Sequence, residues 1–194
     1  GKMKTIKLFL LLTTLAAASF WAAGAPIIQE NKPWSLLQIG IVPDAVALVP
    51  SDTPVLGINA ELFYGTQQKV GIIDFQPIVG TTDVVRGIIY QGLGFNGESI
   101  GLHVGLGTFQ RYFCGVNVAL VTGAWENHGL QIGLVNLSGA SAPACGSQDV
   151  NPPAARGVQF GLFNSTTNGF QFGLLNYNAE SVVPWMILFN YSAR

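Results

Sequence analysis

The most regular feature of the chain is an eight-residue pattern in which apolar and polar positions alternate. Three segments share the form G-x-Q-x-G-L-x-N with an apolar residue at each x: residues 129–136, 157–164 and 169–176. The alternation places Leu130 and Ile132 on one face and Gln131 on the other, a period of two that predicts a β-strand. Two weaker copies occur, and His103 replaces the glutamine in the second: residues 36–43 and 101–108.

Reading the same alternation outward predicts strands and turns along the rest of the chain. The copies that start at Gly157 and Gly169 are 12 residues apart, enough for one strand and a short turn. We therefore expect a tight hairpin there, opened by the closing asparagine of the first copy. Residues 137–156 are the one long loop. About ten strands result, near residues 35–42, 55–64, 69–79, 85–95, 99–108, 112–122, 127–136, 157–164, 169–176 and 183–191.

The repeat spacing leads to a prediction for the fold. A solenoid is expected to repeat at a steady length, whereas these repeats vary, and the shortest has room for only one strand and a hairpin turn. The sequence therefore predicts an all-β, antiparallel up-and-down meander of about ten strands, closed as a barrel so that no strand edge is left unpaired. The alternatives are a soluble β-sandwich, a β-roll or a solenoid.

The N-terminus carries the features of an export signal. Lys2, Lys4 and Lys7 precede an apolar run over residues 8–21, and small residues follow it at 22–25. A positive flank, a short apolar stretch and a small-residue cleavage site are typical of a signal peptide. We expect residues 1–24 to be removed and residues 25–194 to form a single β-repeat domain. An uncleaved membrane anchor is the alternative.

Composition narrows the range of partners. Charged residues make up 10% of the chain and apolar residues 49%, and nine Lys and Arg side chains are too few for a nucleic-acid surface. Low charge, alternating strands and terminal aromatic residues such as Trp185 suit an outer-membrane protein whose Leu, Ile and Phe face meets lipid. In that hypothesis His103, Gln131, Gln159 and Gln171 form a polar ladder in a lumen. In a soluble protein the same four residues would lie on an exposed surface.

Residues with catalytic or ligand-binding chemistry are few. The chain has two histidines, His103 and His128, and neither has the spacing of a metal site, so no metal or cofactor is predicted. Glu98, Ser99 and His103 lie close along the chain, but no turn typical of a nucleophilic serine presents Ser99. No catalytic residue is therefore predicted.

The two cysteines leave two alternatives open. Cys114 and Cys145 are the only ones in the chain. An exported protein commonly pairs an even number of cysteines, so the two are candidates for a disulfide. A catalytic thiol is the other interpretation, although neither cysteine has an obvious histidine and acid beside it in the sequence.

The repeat also resembles a known family. The G-x-Q-x-G-L-x-N units, the segment 34–43 and the endings Leu-Leu-Asn-Tyr-Asn and Leu-Phe-Asn-Tyr-Ser resemble bacterial surface-repeat proteins best known from leptospiral genomes. The resemblance covers most of the chain beyond the signal segment. It implies export and a cell-surface location, and it carries over no activity, ligand or catalytic residue.

Together these features predict an exported envelope protein with a structural, surface or small-pore role and no enzymatic activity. The expected location is the bacterial outer membrane or cell surface, and the expected partner is outer-membrane lipid. The alternatives are a soluble binding module of the periplasm or the extracellular space, and an outer-membrane enzyme that modifies lipid. The sequence indicates no particular small-molecule ligand or protein partner.

Overall fold

The protein is a parallel β-solenoid of about seven turns. The structure, a computed structural model, describes residues 33–42, 45–139 and 156–192, and these contain no α-helix. The predicted signal peptide, Cys145 and most of the predicted long loop lie outside the described residues.

Eleven strands form one sheet that winds around the axis of the solenoid. The fifth strand is 46 residues long and passes through several turns without interruption. The strands are β1 (Ser35–Val42), β2 (Val46–Ala47), β3 (Val55–Glu61), β4 (Tyr64–Val70), β5 (Ile73–Val118), β6 (Val121–Asn127), β7 (Leu130–Ile132), β8 (Val135–Ser138), β9 (Val158–Thr166), β10 (Gly169–Asn178) and β11 (Trp185–Ser192).

Each turn of the solenoid stacks in parallel on the one before it. Residues paired between neighbouring turns are 15 apart at Thr66 and Thr81, 14 apart at Thr108 and Thr122, and 12 apart at Gln159 and Gln171. Only the ends depart from this direction. There β2 pairs antiparallel with β1, and β11 pairs antiparallel with β10.

The predicted antiparallel meander closed as a barrel is therefore wrong, and so is the sandwich. The segment between residues 157 and 169 is not a strand and a hairpin but a complete turn, because β9 and β10 pair in parallel with a shift of 12 residues. Gly169 has a φ of 117°, a conformation that glycine adopts without strain, and it starts a new turn where a hairpin was expected. Asn164 does not open a turn, since its side chain is fully buried inside the solenoid.

Each turn has three sides, because the in–out alternation is interrupted three times. In the turn 115–128 neighbouring residues both point outward at three places: at 120–121, at 125–126 and around Gly129. We call the three sides A, B and C: in this turn they are residues 116–118, 121–124 and 125–128. The inward residues on these sides are Asn117, Thr122 and Asn127, all buried.

The distribution of side chains is the reverse of that in a soluble protein. Among the described residues 29 polar or charged side chains are buried but only seven apolar ones, and 38 large apolar side chains are exposed. The few buried apolar residues include a small cluster of Val70, Val85 and Ile89. The interior of the solenoid is therefore polar and its outer surface is apolar.

Hydrogen bonds between stacked side chains satisfy this polar interior. Asn136 Nδ2 donates to Asn164 Oδ1 at 2.7 Å, and Asn164 Nδ2 donates to Asn176 Oδ1 at 2.8 Å. A glycine stands three residues before each asparagine of this column, because there is no space for a side chain at that position. A Cβ on Gly173 would lie 1.9 Å from the carbonyl oxygen of Gly161. The repeat G-x-Q-x-G-L-x-N thus encodes two inward amides separated by a close backbone contact.

A pair of opposite substitutions in β9 tests which side of the strand is buried. Asn164→Leu removes the hydrogen bonds that join Asn164 to Asn136 and to Asn176. We therefore expect it to lower the free energy of unfolding by about 2–4 kcal/mol. Leu162 is 57% exposed, so Leu162→Asn should cost less than about 1 kcal/mol. Urea unfolding in a mild detergent measures both values, and the opposite ranking would mean that the leucine lies in the core.

Candidate functional site

The four residues of the predicted polar ladder lie inside the solenoid. Gln159 Nε2 donates to Gln131 Oε1 at 2.9 Å, and Gln171 Nε2 donates to Gln159 Oε1 at 3.0 Å. The same column continues towards the N-terminus. Asn117 lies beside Gln131 in the strand register, and His103 lies one turn before Asn117. All of these side chains are at most 1% exposed, so the ladder is not on a surface.

His103 is an uncharged member of this column. One of its ring nitrogens, Nδ1, lies 2.7 Å from Gln110 Nε2, and Nε2 has no partner. Burial lowers the pKa of the imidazole to about 3 from its usual 6.5. The ring therefore accepts a hydrogen bond from the Gln110 amide and stays neutral at physiological pH.

The structure does not bring Glu98, Ser99 and His103 together as a catalytic triad. Ser99 Oγ and His103 Nε2 are both buried without a hydrogen-bond partner, so no bond joins them. Glu98 faces outward and forms an ion pair with Arg86 at 3.1 Å. Although the three residues are close along the chain, the side chain of Glu98 points outward and those of Ser99 and His103 point inward.

Cys114, from the predicted disulfide pair, and His128 lie on side C. Cys114 is partly exposed and free, and its predicted partner Cys145 lies outside the described residues. His128 is exposed, and its ring lies 5.4 Å from that of Tyr112. Within the described ranges no three His, Cys, Asp or Glu residues are grouped as a metal site.

Side A presents a continuous apolar surface to the outside. Its residues stack from turn to turn, and aromatic rings stack directly at Phe75 and Tyr90, 5.2 Å apart, and at Phe160 and Phe172, 4.8 Å apart. No outward residue of this side carries a charge. They are Leu37, Ile39, Ile58, Ala60, Ile73, Phe75, Ile88, Tyr90, Leu102, Val104, Val116, Val118, Leu130, Ile132, Val158, Phe160, Phe170, Phe172, Phe189 and Tyr191.

The leucine of each repeat marks the corner between sides A and B. Backbone hydrogen bonds hold these residues one above another. Leu134 N donates to Leu120 O at 2.9 Å, and Leu162 N donates to Leu134 O at 3.0 Å. Their exposed fractions are 50–64%, the most exposed part of each repeat. This leucine corner consists of Leu106, Leu120, Leu134, Leu162 and Leu174.

Side B continues the apolar surface around the corner. Its outward positions are occupied by residues such as Leu93, Phe95, Val135 and Leu175, and Phe95 stacks on a phenylalanine of the next turn. Threonine or serine takes a few of these positions, and no described residue of this side carries a charge on the outside.

Among the described residues, charge on the outer surface is confined to side C and the loops that adjoin it. Register places Lys69 beside Val84, and Glu126 beside Tyr112, so that these residues form one strip along the axis. Four basic and five acidic side chains make the strip nearly neutral. The charged residues outside the interior, within the described ranges, are Asp52, Lys69, Asp83, Arg86, Glu98, Arg111, Glu126, Arg156 and Glu180.

The candidate functional site is therefore this amphipathic outer surface. A typical soluble monomer has a largest apolar patch of about 300–600 Å², whereas two whole sides of this solenoid are apolar. The alternation in the sequence predicts the apolar face but neither the charged strip nor the asparagine column. The constant five-residue step from Gln to Asn in each copy was the available signal for a second inward amide.

Comparison with known proteins adds no relative. No family model matches the chain, and no match was found among the curated proteins or the solved structures. The resemblance to leptospiral surface-repeat proteins stays a prediction. No helix in the described part of the chain is long and apolar enough to cross a membrane.

Replacing the buried histidine tests its electrostatic state. Because the pKa is lowered on folding, the unfolded imidazole binds a proton first, and stability is lost as the pH falls from 6.5 towards 3. The free energy of unfolding should fall between pH 8 and pH 4, and we expect His103→Gln to reduce that fall by about 3 kcal/mol. The readout is urea unfolding at both pH values. His128→Gln, on the exposed ring, is the control and should leave the loss unchanged; an equal effect of both substitutions would contradict a buried neutral His103.

Proposed function

We propose that this protein is an exported envelope protein with a structural role, which inserts sides A and B into lipid hydrocarbon and leaves side C in water. The observation that carries the proposal is the division of the outer surface. Every described charged side chain outside the interior belongs to side C or its adjoining loops, and sides A and B carry none. Such a division is typical of proteins that lie in a membrane interface.

The dimensions of the solenoid support insertion into one leaflet without spanning the bilayer. A turn of 12 to 15 residues has four or five residues on each of its three sides when the corners are counted, which corresponds to about 15 Å at the rise of a β-strand. The hydrocarbon core of a bilayer is about 30 Å thick, so one leaflet accommodates such a width. The axis then lies parallel to the membrane plane, with the leucine corner deepest and side C at the surface.

The backbone of a solenoid is also compatible with lipid. Hydrocarbon provides no hydrogen-bond partner, so each backbone N–H and C=O group in it must be satisfied within the protein. Here the turns pair with each other along the axis, from β1 to β11 in one sheet. Among the strands that the structure describes, only the terminal ones have a free edge.

Burial of apolar surface provides the driving force, because the charged strip is nearly neutral. Four basic against five acidic residues give little attraction to anionic headgroups. Burying one leucine side chain contributes about 1.5–3 kcal/mol, and the exposed apolar side chains number 38. A soluble binding module would need the opposite arrangement, with leucines packed together and amides in water.

Flotation of the full chain with zwitterionic phosphatidylcholine vesicles tests the proposal. The unmodified protein should float with the vesicles, in high salt as well as in low salt. The double substitution Leu134→Glu and Leu162→Glu places two carboxylates on the leucine corner. We expect the partition coefficient to fall at least about tenfold, since a 1.4 kcal/mol loss already corresponds to that factor.

Val84→Glu is the matched control, because it also exchanges an aliphatic residue for an acid but lies on side C beside Lys69. It should float like the unmodified protein. Two results would contradict the proposal: a protein that stays at the bottom of the gradient, or flotation reduced equally by the corner and control substitutions. Oligomers that form without lipid and conceal sides A and B would instead identify a second copy as the occupant.

A further inference from the structure

Two carboxylates lie inside the N-terminal turns of the solenoid without a basic partner. Glu61 is 1% exposed and Asp74 is fully buried. The basic side chains of the described residues are on side C, and none forms an ion pair with either carboxylate. Burial of an unpaired carboxylate is costly, so this pair calls for a compensating group.

Amide groups surround Glu61. Its Oε1 accepts hydrogen bonds from Gln38 Nε2 at 3.4 Å and from Gln67 Nε2 at 3.2 Å, and its Oε2 accepts one from Gln76 Nε2 at 3.2 Å. All of these donors are neutral. They orient the carboxylate but do not balance its charge.

Asp74 has a similar set of neutral donors one turn further on. Its Oδ1 accepts from Asn59 Nδ2 at 2.8 Å, and its Oδ2 accepts from Thr82 Oγ1 at 3.0 Å and from Gln91 Nε2 at 3.1 Å. The Asn59 side chain also lies close to Glu61, so one amide group adjoins both carboxylates.

Two amide oxygens in this cluster have no partner. Asn59 Oδ1 and Gln67 Oε1 are buried and accept no hydrogen bond. Their nitrogens already donate to the carboxylates, so rotating either amide by half a turn would only place an oxygen against a negative charge. The cluster therefore holds orphaned acceptors next to unbalanced carboxylates, and a cation satisfies both.

We propose that Glu61, Asp74, Asn59 and Gln67 form an internal binding site for a hard divalent cation of the Ca²⁺ type. Two carboxylates balance two positive charges. With both carboxylates bidentate, these four side chains supply six oxygens, within the range of six to eight that Ca²⁺ takes. Magnesium is less suitable, because it keeps several of its waters.

A pocket on the outside adjoins this cluster at Gln67. It has a volume of about 240 Å³, and its lining includes Gln67, Thr66, Thr81, Asp52 and Asp83. Gln67 therefore belongs both to the pocket and to the internal cluster. The acidic residues at the pocket attract cations and raise their local concentration.

The test is thermal unfolding of the full chain in a mild detergent, after treatment with EDTA, with and without CaCl₂. At pH 8 we expect saturating Ca²⁺ to raise the unfolding midpoint by roughly 5–10 °C, and Mg²⁺ to raise it less. Isothermal titration calorimetry should give one site per chain.

The double variant Glu61→Gln and Asp74→Asn keeps the size of both side chains and should lose the response to Ca²⁺. The matched control Glu126→Gln, on side C, should keep it. If the double variant does not fold, Asp74→Asn alone is measured and should bind Ca²⁺ at least tenfold more weakly. Absence of a Ca²⁺ effect on the unmodified chain, or an equal effect in the double variant, would overturn the proposal. Neither result depends on lipid, so the outcome is independent of the vesicle experiment.

Discussion

Stacking of identical side-chain amides along the axis is the interaction on which the rest of this structure depends. An asparagine or glutamine inside a turn donates to its counterpart one turn away, as Asn136, Asn164 and Asn176 do at 2.7 and 2.8 Å. Each bond is worth only about 1 kcal/mol net, but a buried amide left without its partner costs more than that. The stack therefore fixes the register of these turns on one another.

A polar interior determines what the outside can be. In a strand that alternates strictly, amides directed inward leave Leu, Ile and Phe directed outward, as at Gln159 and Phe160. The described part of the chain consequently has no conventional apolar core beyond a few residues such as Val70 and Val85. Insertion in lipid would give the outer side chains the apolar surroundings that a soluble protein finds in its core, and confinement of charge to side C leaves one surface for water.

The sequence alone predicts part of this arrangement. Alternation of Leu130, Gln131 and Ile132 indicates strands and the residues that share a face, because that depends only on backbone geometry. It does not reveal strand direction, since a 12-residue repeat suits both a hairpin and a short solenoid turn. Local propensity predicts Asn164 as a turn former, whereas its partners are in the neighbouring turns. Glu61 and Asp74 gave no signal, because no motif links them and only the stacking of turns brings them together.

The most direct test of the account is the accessibility of spin labels on the vesicle-bound chain. With Cys114 and Cys145 replaced by serine, a nitroxide is attached at Leu134→Cys on the leucine corner or at Val84→Cys on side C, and its relaxation is measured with oxygen, which concentrates in lipid, and with a water-soluble nickel chelate. The account predicts that oxygen relaxes the label at 134 and nickel the label at 84. A label at 134 that neither reagent reaches would place the leucines in a protein core and contradict an outward apolar surface.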